Sequence, residues 1–159
     1  MNPRIEILSG KKLVGDRVKM NFIVNKTGDL WRNFMPRRKN IRNIVGSELY
    51  SVEVYPATFF NHFNPNDEFE KWAAVEVGDD NYIPDDMEKL VIPEGLYAVF
   101  IHKGSASKGP ETYNYIFKKW LPESGFKIDN RPHLAIMGDK YKNDDPDSEE
   151  EIWIPINRK

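Results

Sequence analysis

The sequence predicts an α+β fold: duplicated βαββ units forming one antiparallel sheet with two main helices on one face. Three observations predict it. Short runs alternate apolar and polar residues with the period of a strand. Two stretches, around Leu30 and around Tyr113, repeat instead at helical spacing. Matching residues also recur 81 to 83 positions apart: Leu13 with Leu96, Leu30 with Tyr113, Phe34 with Phe117, and Trp72 with Trp153. Each match falls on the same element type, which points to an old internal duplication. One βαββ unit cannot bury both faces of its sheet, whereas two side by side make a larger sheet with a shared core. The chain is therefore expected to be one domain, 1–159, with pseudo-repeats 1–80 and 85–159.

In the first half, Ile5-Glu6-Ile7 opens a short alternating run. Leu13 to Val24 then reads as a strand, with Val18, Met20, Phe22 and Val24 on one face. The turn from Asn25 to Asp29 leads into a helix carrying Leu30, Trp31, Phe34 and Met35. Pro36 ends or bends that helix, and Gly46 stops the segment. Ser47 to Tyr55 alternates as a strand closed by Pro56. A loop with aromatic plugs (Phe59, Phe60, Phe63) precedes the strand Glu70 to Gly78. Asp79 to Glu88 links the halves.

The second half repeats the plan. Leu90 to Lys103 contains the apolar run Leu96 to Ile101, and Gly104 to Gly109 is a loop of small residues. Pro110 opens a helix in which Tyr113, Ile116, Phe117, Trp120 and Leu121 form one stripe, ended by Pro122 and Gly125. Pro132 to Tyr141 reads as a strand, Asn143 to Glu150 as an acidic loop, and Glu151 to Asn157 as the last strand. Proline removes a ladder donor, so Pro155 implies an edge strand or an amide pointing outward there.

Composition excludes several functions. The formal charge of −2 among 159 residues lacks the basic excess of a nucleic-acid binder. The patch Arg37-Arg38-Lys39 with Arg42 reads as a solvated face. Mean hydropathy is −0.64, and no apolar run nears the ~20 residues that span a bilayer. The start, MNPRIEILSG, does not have the form of a signal peptide. The absence of cysteine removes disulfides, thiolate metal sites and cysteine nucleophiles, and fits a cytoplasmic protein. His62, His102 and His133 stand far apart, so neither a metal nor a cofactor is expected. No G-x-S-x-G occurs, and Gly104-Ser105-Ala106-Ser107-Lys108-Gly109 lacks the ending of a phosphate loop.

The unusual feature is aromatic content: 4 Trp, 7 Tyr and 9 Phe, more ring surface than the core requires. In the last strand a period of two puts Glu149, Glu151, Trp153 and Pro155 on one face and Ile152, Ile154 and Ile156 on the other. A carboxylate beside a tryptophan on a buried strand needs a partner. That partner is either a protein donor or a cationic ligand, which a ring face would also attract. The first half mirrors the pair in Glu70 and Trp72, but has Ala-Ala-Val where the second has Ile-Pro-Ile. Candidate ligand-contacting residues are Glu151, Trp153, Trp72, Tyr113, Phe117, Trp120, Phe34, Tyr50 and Tyr97. The plain alternative is that the rings fill the core and the glutamates pair with nearby basic residues.

The stretches IPEGLYAVFIHKG, ETYNYIFKKWLPESGF, RPHLAIMGDKY and DPDSEEEIWIPI, with GKKLVGDRVKMNF, GDLWRNFMPRRK and EKWAAVEV, resemble the GyrI-like small-molecule-binding family. This is the bacterial effector-binding domain of AraC-type transcription activators, with a SOUL-type fold. The resemblance implies a ligand cleft between the two helices and binding of small aromatic or cationic amphipathic molecules, for effector sensing or sequestration. It carries the family's cleft acid onto Glu151 and its aromatic neighbour onto Trp153. The chain is too short to hold a helix-turn-helix module as well, so a stand-alone form is expected. Two alternatives follow from the same resemblance. One is a hydrolase of electrophilic, cyclopropane-bearing compounds, with Glu151 as its catalytic residue. The other is a protein-interaction inhibitor of a DNA enzyme. A small-molecule partner is expected, without direct nucleic-acid or membrane contact, and a protein partner stays open.

Overall fold

The structure, a computed structural model, describes residues 2–142 and 145–159. Its strands are β1 (Arg4–Leu8), β2 (Lys11–Met20), β3 (Leu49–Val54), β4 (Phe69–Val77), β5 (Glu88–Ile92), β6 (Gly95–Lys103), β7 (Phe126–Ile128), β8 (His133–Met137) and β9 (Glu149–Arg158). Helix α1 (Thr27–Phe34) runs on into a 3-10 segment, Met35–Asn40. Helix α2 (Gly109–Tyr115) passes through a π-helical turn, Ile116–Trp120, into a last α turn, α3 (Leu121–Glu123).

All ladders are antiparallel, in the order β1-β6-β9-β8-β3-β4-β2-β5, with β7 beside β9. The two ends of that order are tied together. Only Ser9-Gly10 separates β1 from β2, and only Pro93-Glu94 separates β5 from β6. Leu8 faces Gly95, and in the same register Lys11 faces Ile92. Each short strand thus continues the longer one beside it in sequence as one bent strand, and the sheet curls until these strands meet. The curl gives the sheet an inside and an outside.

Strand alternation sorts the side chains between them. Leu8, Leu13, Tyr50, Val52, Trp72, Ala74, Ile92, Tyr97, Val99, Leu134 and Trp153 fill the inside. Both helices lie outside. Leu30 and Phe34 of α1 cover Val14, Ala73, Val75 and Val77. Ile116 of the second helix covers Ala98, Phe100, Ile152, Ile154 and Ile156. A fully buried side chain of this kind contributes about 1.5–3 kcal/mol, so these clusters hold the helices to the sheet. β2 and β4 lie so close that a Cβ on Gly15 would come 2.0 Å from the Ala73 carbonyl oxygen.

The predicted layers stand, and several boundaries move. The first strand ends at Met20, because the Asn21 side chain accepts hydrogen bonds from the amides of Ile23 and Val24 and turns the chain. Pro93 divides the run from Leu90 to Lys103 into β5 and β6. The strand from Pro132 stops at Met137. Glu149 and Glu150 belong to β9 and not to the acidic loop; Asn143 and Asp144 of that loop lie outside the described residues. β9 is an interior strand, yet the proline argument survives. The β8 ladder reaches only Trp153, and the Pro155 carbonyl points to that vacated side, accepting from the Asp129 amide. The missing N–H faces the same way, in the gap between the end of the β8 ladder at Trp153 and the start of the β7 ladder at Ile156.

Candidate functional site

Alternation along β9 carries Glu149, Glu151, Trp153 and Pro155 inside, while Ile152, Ile154 and Ile156 back the second helix. Trp153 lies opposite Val99 on one side and Leu134 on the other. Its Nε1 donates to Glu151 Oε1 at 3.1 Å. The second oxygen, Oε2, accepts Arg4 Nη2 at 2.8 Å, and the Arg4 guanidinium carbon lies 5.8 Å from the Trp153 ring centre. Arg4 also meets Glu6 at 3.0 Å. Its guanidinium pKa is raised, first by the hydrogen bond it donates to Glu151.

The first half has a related arrangement. Trp72 Nε1 donates to Glu70 Oε1 at 3.2 Å, and Arg17 bridges Glu70 at 3.2 Å and Glu88 at 2.7 Å. Both Glu-x-Trp pairs are therefore self-paired and arginine-capped.

Glu151 also borders a cavity of about 390 Å³ at the end of β9. Ile101 and Ile136 supply its apolar wall, with Gly138. Around them stand five carboxylates, Glu48, Asp139, Glu149, Glu150 and Glu151, against one ammonium, Lys140. The Glu149 amide donates to the Lys140 carbonyl at 2.9 Å, closing the rim. Among the described residues, Glu48, Asp139 and Glu149 have no ion-pair partner, so the cavity carries a net negative field. Burial raises the Glu150 carboxyl pKa; nearby His102 and Lys71 partly offset this. Tyr50 lies next to this region: its hydroxyl donates to Glu76 Oε1 at 3.3 Å, and Lys11 caps Glu76 at 3.4 Å. Burial, and then the charge of Glu76, push the Tyr50 hydroxyl well above its ordinary value.

A larger cavity, about 440 Å³, opens beside α1. Most of its charges are engaged by protein partners: Arg37 holds Asp16 and Asp86, and Arg17 holds Glu88. Lys26, Val18 and Leu30 also line it, but its carboxylates are already engaged by arginines, so the smaller cavity, with its surplus of unpaired carboxylates, is the stronger candidate for a cation.

The groove between the helices lies on the outer face, over β3 and β8. Its floor includes Glu53, paired with Lys71 at 2.9 Å, and His133, both almost fully buried. Phe60 covers it, stacked 5.6 Å from both Phe117 and His133. Tyr113 stacks at 6.4 Å on Phe117, and burial drives its hydroxyl pKa far up, with further push from Glu53 and Glu150. Glu150 thus stands between cavity and groove.

The structure therefore distributes the nine predicted contacts. Glu151 lines the cavity and Trp153 holds its carboxylate. Tyr50 and Tyr97 are inside with them; the Tyr97 hydroxyl donates to the Pro132 carbonyl at 2.8 Å, and burial raises its pKa to about 12. Trp72 belongs to the mirrored pair. Tyr113 and Phe117 line the groove. Phe34 is fully buried under α1, and Trp120 packs edge-on to Phe100 at 5.1 Å, so both serve the core. Sequence reasoning missed Arg4, Glu48, Ile101 and Ile136. Arg4 and Glu6 share the face opposite Ile5 and Ile7, the one available signal for the arginine. Among the described residues, no cluster of three or more metal-ligating side chains forms, and no helix is long and apolar enough to cross a membrane.

A family model described as the GyrI-like small molecule binding domain matches residues 1–157. The transcriptional regulator BrlR of Pseudomonas aeruginosa is 29% identical over 131 residues, covering 81% of this chain and 46% of that protein. A DNA gyrase inhibitor of Yersinia enterocolitica is 31% identical over 85 residues, 51% of this chain and 52% of the inhibitor. The chain thus spans about half the length of these curated relatives. Among solved structures, SAV2435 bound to tetraphenylphosphonium superposes with a TM-score of 0.70 at 14% identity, over 99% of this chain and 94% of that one.

Proposed function

The chain belongs to the GyrI-like small-molecule-binding family, and on that premise we propose that it binds cationic aromatic or amphipathic molecules at the Glu151 cavity, for effector sensing or sequestration. One observation carries the proposal: beside the apolar wall of Ile101 and Ile136 and next to the arginine-capped Glu151, the cavity is lined by Glu48, Asp139 and Glu149, which have no ion-pair partner among the described residues, against one lysine. A lipophilic cation gains from both at once, from the unbalanced negative field and from removal of apolar surface from water. The volume falls in the range of roughly 300–1,000 Å³ usual for small-molecule sites. The solved relative SAV2435 was captured with tetraphenylphosphonium, a cation of this class, which supports the choice of probe.

The same reading takes the chain as one domain, 1–159, of two pseudo-repeats, 1–80 and 85–159. The reciprocal exchange of short strands, β1 to β6 and β5 to β2, supports it. The protein is read as cytoplasmic, with a small molecule as its partner and no direct contact with nucleic acid.

The test is a titration with tetraphenylphosphonium followed by tryptophan fluorescence, since Trp153 holds the Glu151 carboxylate. Saturable quenching is expected, weakened by roughly tenfold in Glu151→Gln as one charge contact is lost. Equal affinity in the variant would remove Glu151 from the site. Absence of saturable binding would sink the proposal.

A further inference from the structure

The chain carries its own cation on the Glu151–Trp153 pair. Recognition of an organic cation needs a carboxylate, and a ring face adds to it. Here Arg4 takes both: Nη2 lies 2.8 Å from Glu151 Oε2, and the guanidinium carbon lies 5.8 Å from the Trp153 ring centre. Trp153 Nε1 fixes the other carboxylate oxygen at 3.1 Å, so the acid is oriented as well as neutralised. We propose that Arg4 is a built-in competitor and the specificity-determining residue of this site: a cationic ligand gains Glu151 only by displacing the guanidinium. The inference rests on the binding function assigned above and adds how that site selects its ligand.

Three observations favour displacement over a fixed structural pair. Arg4 has a second acid, Glu6 at 3.0 Å, so it can leave Glu151 without losing all pairing. The Arg4 and Glu151 side chains are 43% and 35% exposed, and an ion pair so hydrated is held weakly. β1 has only five residues and is laddered along one side, to β6. The mirrored Arg17 differs on the last point. It sits in the interior of the ten-residue β2, opposite Trp72 itself in a β4 ladder that runs from Lys12 to Met20, whereas Arg4 is the first residue of the five-residue β1. Among the described residues, no cation–ring contact joins Arg17 to Trp72. The first-half arginine is built in, while the second-half arginine can exchange.

Displacement has a consequence for specificity. With Arg4 in place, a neutral aromatic molecule meets a neutralised acid and gains nothing from moving it. A cation replaces one positive charge by another. Removing Arg4 therefore strengthens binding of cations and leaves neutral molecules unaffected.

The experiment titrates the full chain and its Arg4→Gln, Arg4→Lys and Arg4→Gln/Glu151→Gln variants with tetraphenylphosphonium and with neutral triphenylphosphine oxide. Folding is checked by circular dichroism. Arg4→Gln is expected to bind the cation roughly three- to tenfold tighter, the range for one exposed ion pair with a cation–ring contact. Arg4→Lys should stay near the parent, and the double variant should lose the gain. Unchanged or weaker cation binding in Arg4→Gln, with Glu151→Gln still weakening the parent, would overturn the competitor and leave the site intact. An equal gain for the neutral probe would also overturn it, since steric opening would then suffice. If neither parent nor variants bind the cation, the binding function fails with it. As a measurement free of substitution, the Arg4 Nη2–H resonance of the parent, which reports the Glu151 contact, should shift on saturation with tetraphenylphosphonium; a stationary signal counts against displacement.

Discussion

Lys71 and Glu53 face each other on adjacent strands, 2.9 Å apart, with side chains only 15% and 7% exposed. The pair lies on the floor of the groove between the helices. Two buried charges of this kind satisfy each other, and loss of one leaves the other stranded. Lys71→Met should cost about 3–5 kcal/mol of unfolding free energy. Lys71→Met combined with Glu53→Leu should recover most of it, because no charge is then left unpaired. Urea denaturation of the three proteins measures this. A double variant as unstable as the single one would mean that the pair is not the relevant contact.

Gly15 is where β2 and β4 come closest. It faces Ala74, and an added Cβ would lie 2.0 Å from the Ala73 oxygen and 2.7 Å from the Ala74 Cα. Backbone atoms cannot yield as a flexible side chain can. Gly15→Ala should destabilise by at least roughly 1–3 kcal/mol, the usual range for overpacking. Thermal melts would check it, with Gly125→Ala, where nothing lies within 4 Å, as the control expected to stay near the parent.

Layers and helix contacts were legible because they follow from periodicity. The stripe Tyr113, Ile116, Phe117 and the alternation through Ile152, Ile154 and Ile156 fix which faces meet. The curl of the sheet was not legible. It depends on Ser9-Gly10 and Pro93-Glu94 bending two strands that then pair in one register, a contact between segments some 80 residues apart. Without the curl, Glu151 and Trp153 could be assigned a common face but not the inside of the sheet. The same limit hid Arg4, whose partner Glu151 is 147 residues away. The π-helical turn at Ile116–Trp120 shifts the stripe that an ideal helix would present, and single-residue insertions of this kind leave no mark on an apolar pattern.

His133 gives the fold a pH response. Burial, and then the charge of Arg131, hold its pKa down to about 3, against 6.5 for an ordinary imidazole. Between those values the unfolded chain binds a proton that the folded chain refuses, so stability falls as pH drops through the window. The loss at pH 5 is roughly 2 kcal/mol. Glu150 acts in the opposite sense. Its carboxyl is raised by burial, so the folded chain holds a proton that the unfolded chain releases, and stability gains as pH falls through the folded value. Comparison with His133→Phe cancels the Glu150 contribution. The stability of the parent relative to that variant should fall by roughly 2 kcal/mol between pH 7 and pH 5 in urea titrations. Parallel curves would show that His133 is not held neutral.

The cavity charges make a last prediction that does not depend on Arg4. Glu48 and Glu149 line the site without ion-pair partners among the described residues, so each acts on a ligand through its field. Glu48→Gln and Glu149→Gln should each weaken tetraphenylphosphonium binding by roughly two- to fivefold at low salt, as expected of charges in partly hydrated surroundings. Raising the ionic strength from about 0.01 M to about 0.15 M shortens the screening length from about 30 Å to about 8 Å. The parent should then lose affinity, and each variant should lose less, because it has less field to screen. Calorimetry at the two salt concentrations separates this from apolar contact with Ile101 and Ile136, which salt does not weaken. If parent and variants respond identically to salt, the carboxylates do not set the affinity, and the apolar wall alone holds the ligand.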